Sequence, residues 1–490
     1  MKQLSGLDAG FLYMESPTTY GHVNSLSIYQ RPRTRSFRPY ELVRERLAAK
    51  LGDLAPLRRR LVEVPFQIDH PWWIDDPAFD LDFHLRHIAV PPPGEQHALA
   101  ELVGRIISRP LDRSHPLWEA YVIEGLAGQD WALLLKFHHA AIDGAAGLEL
   151  LTILLDPEPD AGPLPPADLG PGERVPTPSE MLGRTAFEYA LRPERFLRAQ
   201  LRTLRDASTI ANERRAELYR ASLRSWAQPA LPFSLRPDVP RPPEGMAPPT
   251  PFNRAISPHR RFAYRTESLA AIKDIKNRYG VTVNDVIMAI CAGALRRYLA
   301  RHDQLTGEPL VAAVPVSIRT GDEDDPWTNR VSSIVAPLPT HLDTPQARVA
   351  YAHEAMADAK ARFDLIPADA LQDFSRFSPP ALFTQASALM ARTRMADRTG
   401  SPVNLVISNV PGPRHPLYLG PARLEHYYPV STIAEGQGLN ITVHSYQDIL
   451  DIGLVGCREL MPDIWDLLEL IGDEVQALLD HRRVATPVTA

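Results

Sequence analysis

The chain has 490 residues, 44% of them hydrophobic and 23% charged, with a formal net charge of -6. That length exceeds one ordinary hydrophobic core and implies two domains, while the mild acidity gives no general electrostatic reason to expect nucleic acid as a partner. Two cysteines far apart in apolar surroundings, Cys291 and Cys457, point to a reduced, cytosolic chain with inert thiols rather than to disulfides or a metal site.

The N-terminus lacks a basic region followed by an apolar core, so no signal peptide is expected. No apolar run approaches the ~20 residues of a membrane span. Residues Gly21 to Gln30 alternate loosely and predict the first strand. Pro39 to Leu51 predicts an amphipathic helix with Leu42, Val43, Leu47 and Leu51 on its apolar side. Short strand-like runs broken by Pro and Asp fill Leu61 to Val90, including Pro71-Trp72-Trp73-Ile74, and a helix follows from Glu95 to Ile107. A strand from Trp118 to Gly125 is expected to pair, across a loop at Ala127 to Asp130, with the stretch that follows. Trp118 reads equally well as a simple core aromatic or as a residue with a part in the site, since a strand beside the next one would support it in either case.

That stretch is Trp131-Ala-Leu-Leu-Leu-Lys-Phe-His-His-Ala-Ala-Ile-Asp-Gly144. Its apolar run is too short for an ordinary helix and reads as a buried strand that delivers polar residues at its end. Strand alternation sends Leu133, Leu135, Phe137 and His139 one way and Leu134, Lys136 and His138 the other, so one histidine of the pair can face a given cleft. Two histidines followed after three residues by Asp-Gly should arise by chance on the order of once per thousand chains of this length. The strand, turn and helix context adds to that. A neutral imidazole, with an ordinary pKa near ~6.5, can take a proton from a hydroxyl, amine or thiol as that group attacks an electrophile. Asp143 stands where the N-cap of the next helix would stand, and it could instead orient the imidazole.

From Asp156 to Pro178 the composition is that of a linker. Met181 to Trp226 is arginine-rich and helical in pattern, with Phe187, Tyr189, Phe196 and several leucines interleaved. Such a mixture suits an anionic lipid surface or a solvated helical pair at a domain interface. A Pro-rich section, Pro229 to Pro251, ends this crossover. Beyond it the pattern predicts a strand at Arg260 to Tyr264, helices at Leu269 to Tyr279 and from Val283 to about Leu299, and a strand at Leu310 to Pro315. Asn284 or its neighbour would cap the second of these helices. Strands at Val331 to Pro337 and Val403 to Ser408 enclose helices at Pro345 to Phe363 and around Ala381 to Met395. A hairpin turning at Gln447-Asp448 and a helix from Ile464 to Leu479 close the chain. Helices and strands mixed without strict βαβ alternation argue for an α/β (α+β) sandwich-like domain repeated twice.

His138-His139-Ala140-Ala141-Ile142-Asp143-Gly144 resembles the HHxxxDG signature of the CoA-dependent acyltransferase superfamily. Four more segments are similar to motifs of one branch, the bacterial wax ester synthase/diacylglycerol acyltransferase family, in its order. They are Leu4-Ser5-Gly6-Leu7-Asp8-Ala9-Gly10-Phe11-Leu12, Pro116-Leu117-Trp118-Glu119, Val283-Asn284-Asp285-Val286 and Ser408-Asn409-Val410-Pro411-Gly412-Pro413. The resemblance spans nearly the whole chain and is weakest between Pro157 and Pro249.

It implies two chloramphenicol-acetyltransferase-like sandwich domains, residues 1–165 and 251–490, joined by a crossover at 166–250, with the active-site channel at their interface. It implies an acyl-CoA-dependent O-acyltransferase that makes triacylglycerol from diacylglycerol, or wax esters from long-chain alcohols, by direct attack of the alcohol on the thioester. No metal or other cofactor is expected, acyl-CoA being a substrate. With no membrane span, a cytoplasmic chain meeting its lipids at a membrane or lipid-droplet surface is expected. A carrier-protein acyl donor is the alternative within the fold; a lipid-droplet protein without turnover is the alternative outside enzymes.

Residue by residue, the resemblance makes His139 the general base with His138 packed behind it. It pairs Asp143 with Arg319, after the strand-like Pro315-Val316-Ser317-Ile318, and places Gly144 at the end of the motif. Asn284 is a candidate donor to the oxyanion, with helix capping as its alternative role. Ser408 and Asn409 would shape the cleft as the chain enters a Pro-Gly-Pro turn. Lys273, Lys276 and Arg278 give no specific signal for the CoA phosphates.

Overall fold

The computed structural model describes residues 1–142, 144–159, 162–191, 245–318, 327–329, 331–364 and 380–480. Its strands are β1 (Lys2–Gln3), β2 (His22–Tyr29), β3 (Arg59–Val62), β4 (Trp72–Asp75), β5 (Leu85–Ala89), β6 (Trp118–Glu124), β7 (Trp131–His138), β8 (Arg260–Ser268), β9 (Leu310–Ser317), β10 (Val331–Leu338), β11 (Leu405–Pro411), β12 (Tyr418–Leu419), β13 (Ala422–Val430), β14 (Leu439–Tyr446) and β15 (Ile449–Cys457). The longer helices are α1 (Gly6–Tyr13), α2 (Pro39–Lys50), α3 (Gln96–Ile107), α4 (Gly144–Leu154), α5 (Pro178–Leu191), α6 (Leu269–Tyr279), α7 (Val283–Arg301), α8 (Pro345–Asp364), α9 (Pro380–Arg392) and α10 (Ile464–Asp480).

Two mixed six-stranded sheets form the frame, in the orders β12-β13-β2-β7-β6-β5 and β10-β9-β11-β14-β15-β8. Every residue of β7 is buried, as a central strand flanked by antiparallel β2 and β6 requires. Its two faces divide as alternation predicts. Trp131, Leu133, Leu135 and Phe137 join the core made with α2 and α4, and Ala132 and Leu134 join a second core beneath α3. That second core also contains Phe262, Tyr264 and Val455 of the other sheet, so α3 lies between the two sheets. The opposite face of the second sheet is covered by α6, α7, α8 and α10.

Sequence halves and sheets do not coincide. β13, from the second half, pairs antiparallel with β2 and completes the first sheet, with Tyr428 opposite Leu26 and Pro429 opposite Ser25. The sequence pattern does not reveal β13, because Pro429 and a bulge between Leu424 and His426 break its alternation. Where β13 crosses β15, a side chain on Gly453 would place its Cβ 1.8 Å from the Pro429 carbonyl oxygen. At the crossing, Asp451, wholly buried, accepts from the Tyr427 backbone N–H at 2.7 Å and from Thr266 Oγ1 at 2.6 Å.

Helix α1 also went unsignalled by periodicity. It is set by a capping box: the Asp8 N–H donates to Ser5 Oγ at 3.1 Å and the Ser5 N–H to Asp8 Oδ2 at 3.3 Å. At α7 the cap is Thr282, boxed with Asp285, and not Asn284, which sits one residue into the helix. Of the arginine-rich stretch only α5 falls within the described residues.

Replacing Gly453 with Ala should force β13 and β15 apart and destabilise the protein by about 1–3 kcal/mol or more. A urea unfolding midpoint equal to that of the unmutated chain would refute this account of the crossing.

Candidate active site

β7 stops at His138 because the chain turns there. The N–H groups of Ala141 and Ile142 both donate to the His138 carbonyl, at 2.9 and 3.3 Å, and carry His139 off the end of the sheet. The backbone N–H of His139 donates to the Gly21 carbonyl at 2.6 Å. Gly21 has no room for a side chain there, since a Cβ would meet the His138 ring and the Phe11 carbonyl oxygen at 3.0 Å each.

The two histidines face different surroundings. His139 is partly buried, and its imidazole lies flat on the Phe11 ring of α1, with centroids 3.9 Å apart and planes 7° from parallel. Its Nδ1 is 3.1 Å from Oδ1 of Asn329, which belongs to the connection between β9 and β10. The Asn329 Nδ2 donates to the His139 carbonyl at 2.7 Å and to Asp8 Oδ1 at 2.6 Å, and its backbone N–H donates to the same Asp8 oxygen at 3.0 Å. Asp8 Oδ2 accepts from Ser5 Oγ at 2.6 Å. Burial pushes the Asp8 carboxyl above its ordinary value, opposed by the hydrogen bonds from Ser5 and Asn329.

His138 is buried on the other face. Its Nδ1 accepts from the Ala140 N–H at 3.0 Å, and its Nε2 lies 3.2 Å from Glu15 Oε1. Glu15 also accepts from the Gly21 N–H at 2.9 Å and from Arg113 at 2.7 Å. Burial alone would raise the Glu15 carboxyl; the hydrogen bond and charge of His138, then Arg113 and His22, hold it well below the usual carboxylate range. Opposite His138 in the ladder, His22 is driven well below its ordinary value by burial and by Lys136. Lys136, wholly buried on the same face, donates to the Arg109 carbonyl at 2.7 Å and pairs with Glu119 at 3.3 Å.

The remaining expected residues fall into three groups. Asp143 and Arg319 lie outside the described residues, and α4 starts at Gly144, directly after Asp143. Trp118 is a core residue: its indole N–H donates to the Leu57 carbonyl at 2.8 Å and His84 stacks on it at 4.5 Å. It supports β7 by lying opposite Phe137 in the ladder. Asn284, Ser408 and Asn409 are not joined to the hydrogen-bonded network of His139 among the described residues. Asn284 is half-buried in the first turn of α7, where its neighbour Asp285 pairs with His353 at 2.8 Å. Ser408 and Asn409 lie inside β11 rather than at its end, beside Thr442 and Val443 of β14. Gly412 of the following turn donates to Ser445 Oγ at 3.2 Å.

Sequence reasoning did not assign roles to Asp8, Phe11, Glu15, Arg113 and Asn329. Asp8 and Phe11 stand in the N-terminal motif that carries the resemblance, so their signal was visible without its purpose. Asn329 stands in a polar stretch that reads as an ordinary loop. Among the described residues no group of three or more His, Cys, Asp or Glu side chains could hold a metal ion, and no helix is long and apolar enough to cross a membrane.

The chain is similar to known proteins of one family. Residues 4–287 match the wax ester synthase/diacylglycerol acyltransferase catalytic domain, and residues 327–479 match the WS/DGAT C-terminal domain. The O-acyltransferase WSD of Acinetobacter baylyi is 32% identical over 97% of this chain and 96% of its own length. A Mycobacterium tuberculosis protein provisionally named a diacylglycerol O-acyltransferase is 36% identical over 98% of this chain and 90% of its own. The solved wax ester synthase/diacylglycerol acyltransferase of Marinobacter aquaeolei VT8 superimposes with a TM-score of 0.66 at 28% identity, covering 97% of this chain and 98% of that one. The first condensation domain of the calcium-dependent antibiotic synthetase shares the fold at a TM-score of 0.52 and 15% identity, over 98% and 96% of the two chains.

Because the folded state holds Glu15 below its ordinary value of 4.5, its ionised form contributes stability above that pH, which is lost as pH falls toward the lower folded value. Glu15→Gln should therefore flatten the acid limb of the stability profile below about pH 4.5. Urea midpoints that fall equally steeply with acid in both proteins would contradict this role.

Proposed function

This chain belongs to the wax ester synthase/diacylglycerol acyltransferase family, and from that premise we propose that it transfers an acyl group from coenzyme A to the hydroxyl of diacylglycerol. Long-chain alcohols giving wax esters are the second acceptor class. The observation that carries the reading is the setting of His139, lifted off the end of a rigid buried strand, stacked on Phe11 and hydrogen-bonded through Nδ1.

The chemistry follows from that setting. Nε2 of His139 accepts the alcohol proton as the oxygen attacks the thioester carbonyl. The tetrahedral intermediate collapses with loss of the CoA thiolate, which takes the proton back from the imidazolium. No acyl-enzyme is needed, and acyl-CoA enters as substrate. Hydrogen-bond donors near the developing oxyanion would assist, and Asn284 keeps that candidate role by family resemblance, its amide being free of the helix cap. Asp143 and Arg319 keep theirs as the ion pair that fixes the turn after His139. The lipid acceptor and product require the protein to work at a membrane or lipid-droplet surface from the cytoplasmic side.

Purified protein given palmitoyl-CoA with dioleoylglycerol or with hexadecanol should release CoA and form triacylglycerol or wax ester, the yields ranking the two acceptors. His139→Ala should lower turnover on the order of 10² to 10⁴-fold. Near-normal turnover by that variant would sink the mechanism, and absence of CoA release with both acceptors would turn attention to a carrier-protein donor.

A further inference from the structure

We propose that Asn329, anchored by Asp8, is a positioning residue that fixes the tautomer of His139, holding the proton on Nδ1 and the lone pair on Nε2. This rests on the reading of His139 as the general base.

The argument is one of donors and acceptors. A carboxamide has a donating end and an accepting end, and the surroundings of Asn329 decide which way round it lies. Its Nδ2 lies 2.7 Å from the His139 backbone carbonyl, an atom that can only accept. It also lies 2.6 Å from Asp8 Oδ1, which already accepts the Asn329 backbone N–H at 3.0 Å. Both amide hydrogens are thereby committed, and the atom left to face His139 Nδ1 at 3.1 Å is the oxygen. An oxygen there requires N–H on Nδ1, so in the neutral ring Nε2 carries the lone pair. The parallel contact with Phe11 keeps the ring in the plane that this hydrogen bond needs.

Asp8 suits the task because its two oxygens have separate duties. Oδ1 takes both Asn329 donors, and Oδ2 takes the Ser5 hydroxyl. Asn329 is almost wholly buried, at 1% exposure, so water does not compete for these bonds. The capping box of α1 and the tautomer of the base are in this way one device. The arrangement parallels the orienting acid of a serine protease triad, with a neutral amide in direct contact with the ring.

The test reads the tautomer directly, from the ring-nitrogen NMR shifts of the full-length protein labelled with 15N-histidine, with His139→Gln to assign the signals. Above the titration of the ring, the unmutated protein should show His139 protonated on Nδ1, opposite to the preference of histidine free in water. Asn329→Ala should return it to mainly Nε2–H and lower kcat on the order of 10²-fold, with KM for palmitoyl-CoA little changed. Asp8→Ala removes the acceptor of both Asn329 donors, frees the Asn329 amide to turn over and should show both tautomers.

An Nε2–H signal in the unmutated protein would overturn the proposal without any variant needing to fold. So would an Asn329→Ala protein that keeps the Nδ1–H form and normal kcat. An Asp8→Ala protein with unchanged tautomer and kcat would remove Asp8 from it. The shifts are read without substrate, so a wrong assignment of the reaction would leave them standing and fail only in the product analysis.

Discussion

The hydrogen bonds of one buried carboxamide, Asn329, hold together the three segments that make the site: the first helix, the end of β7 and the connection between β9 and β10. Asn329 stands 190 positions from His139 and 321 from Asp8 in the chain. Burying such a group is favourable only when its donors and acceptors are all met, and a missing partner costs about 1–3 kcal/mol. The site is therefore formed only when both halves of the chain are folded and docked. That makes the catalytic geometry a property of the interface rather than of either sheet.

Behind His139 lies a second layer of buried polar groups on the opposite face of β7. Glu15, Arg113 and His138 form one cluster, and Lys136 and Glu119 another. Buried ions are expensive unless they are paired and fully hydrogen-bonded, and here backbone groups of Gly21, Ile106 and Arg109 supply the remaining bonds. His22 sits beside them, with its ring edge-on to His138 at 6.0 Å. The result is a stiff floor beneath the turn that presents His139. A base must be held to within a fraction of an ångström to act on a bound hydroxyl, and rigid packing provides that.

The two sheets share this dependence through β13. Without it β2 would be the open edge of the first sheet, with unpaired backbone groups beside the active strand. With it, the second half of the chain both closes that edge and supplies Asn329. The close crossing at Gly453 and the buried Asp451 bring β13 and β15 into contact at a defined height. Docking of the halves and registration of the active strand are thus coupled.

The amino-acid sequence by itself determined what local physics can write: the buried strand ending in two histidines, the alternation that separates them, the capped helices at 269–279 and from 283, and the hairpin at Gln447-Asp448. Its short motifs also carried the family. It did not reveal β13, whose Pro429 and bulge remove the alternation and whose pairing with β2 depends on a partner some 400 residues away. Nor could it show the purpose of Asp8 and Phe11, visible in a motif, or of Asn329, hidden in a polar loop. Which amide meets which imidazole is decided by contacts between segments remote in sequence. Periodicity and capping register only neighbours along the chain, so the contact between Asn329 and His139 became readable only once the two sheets were brought together.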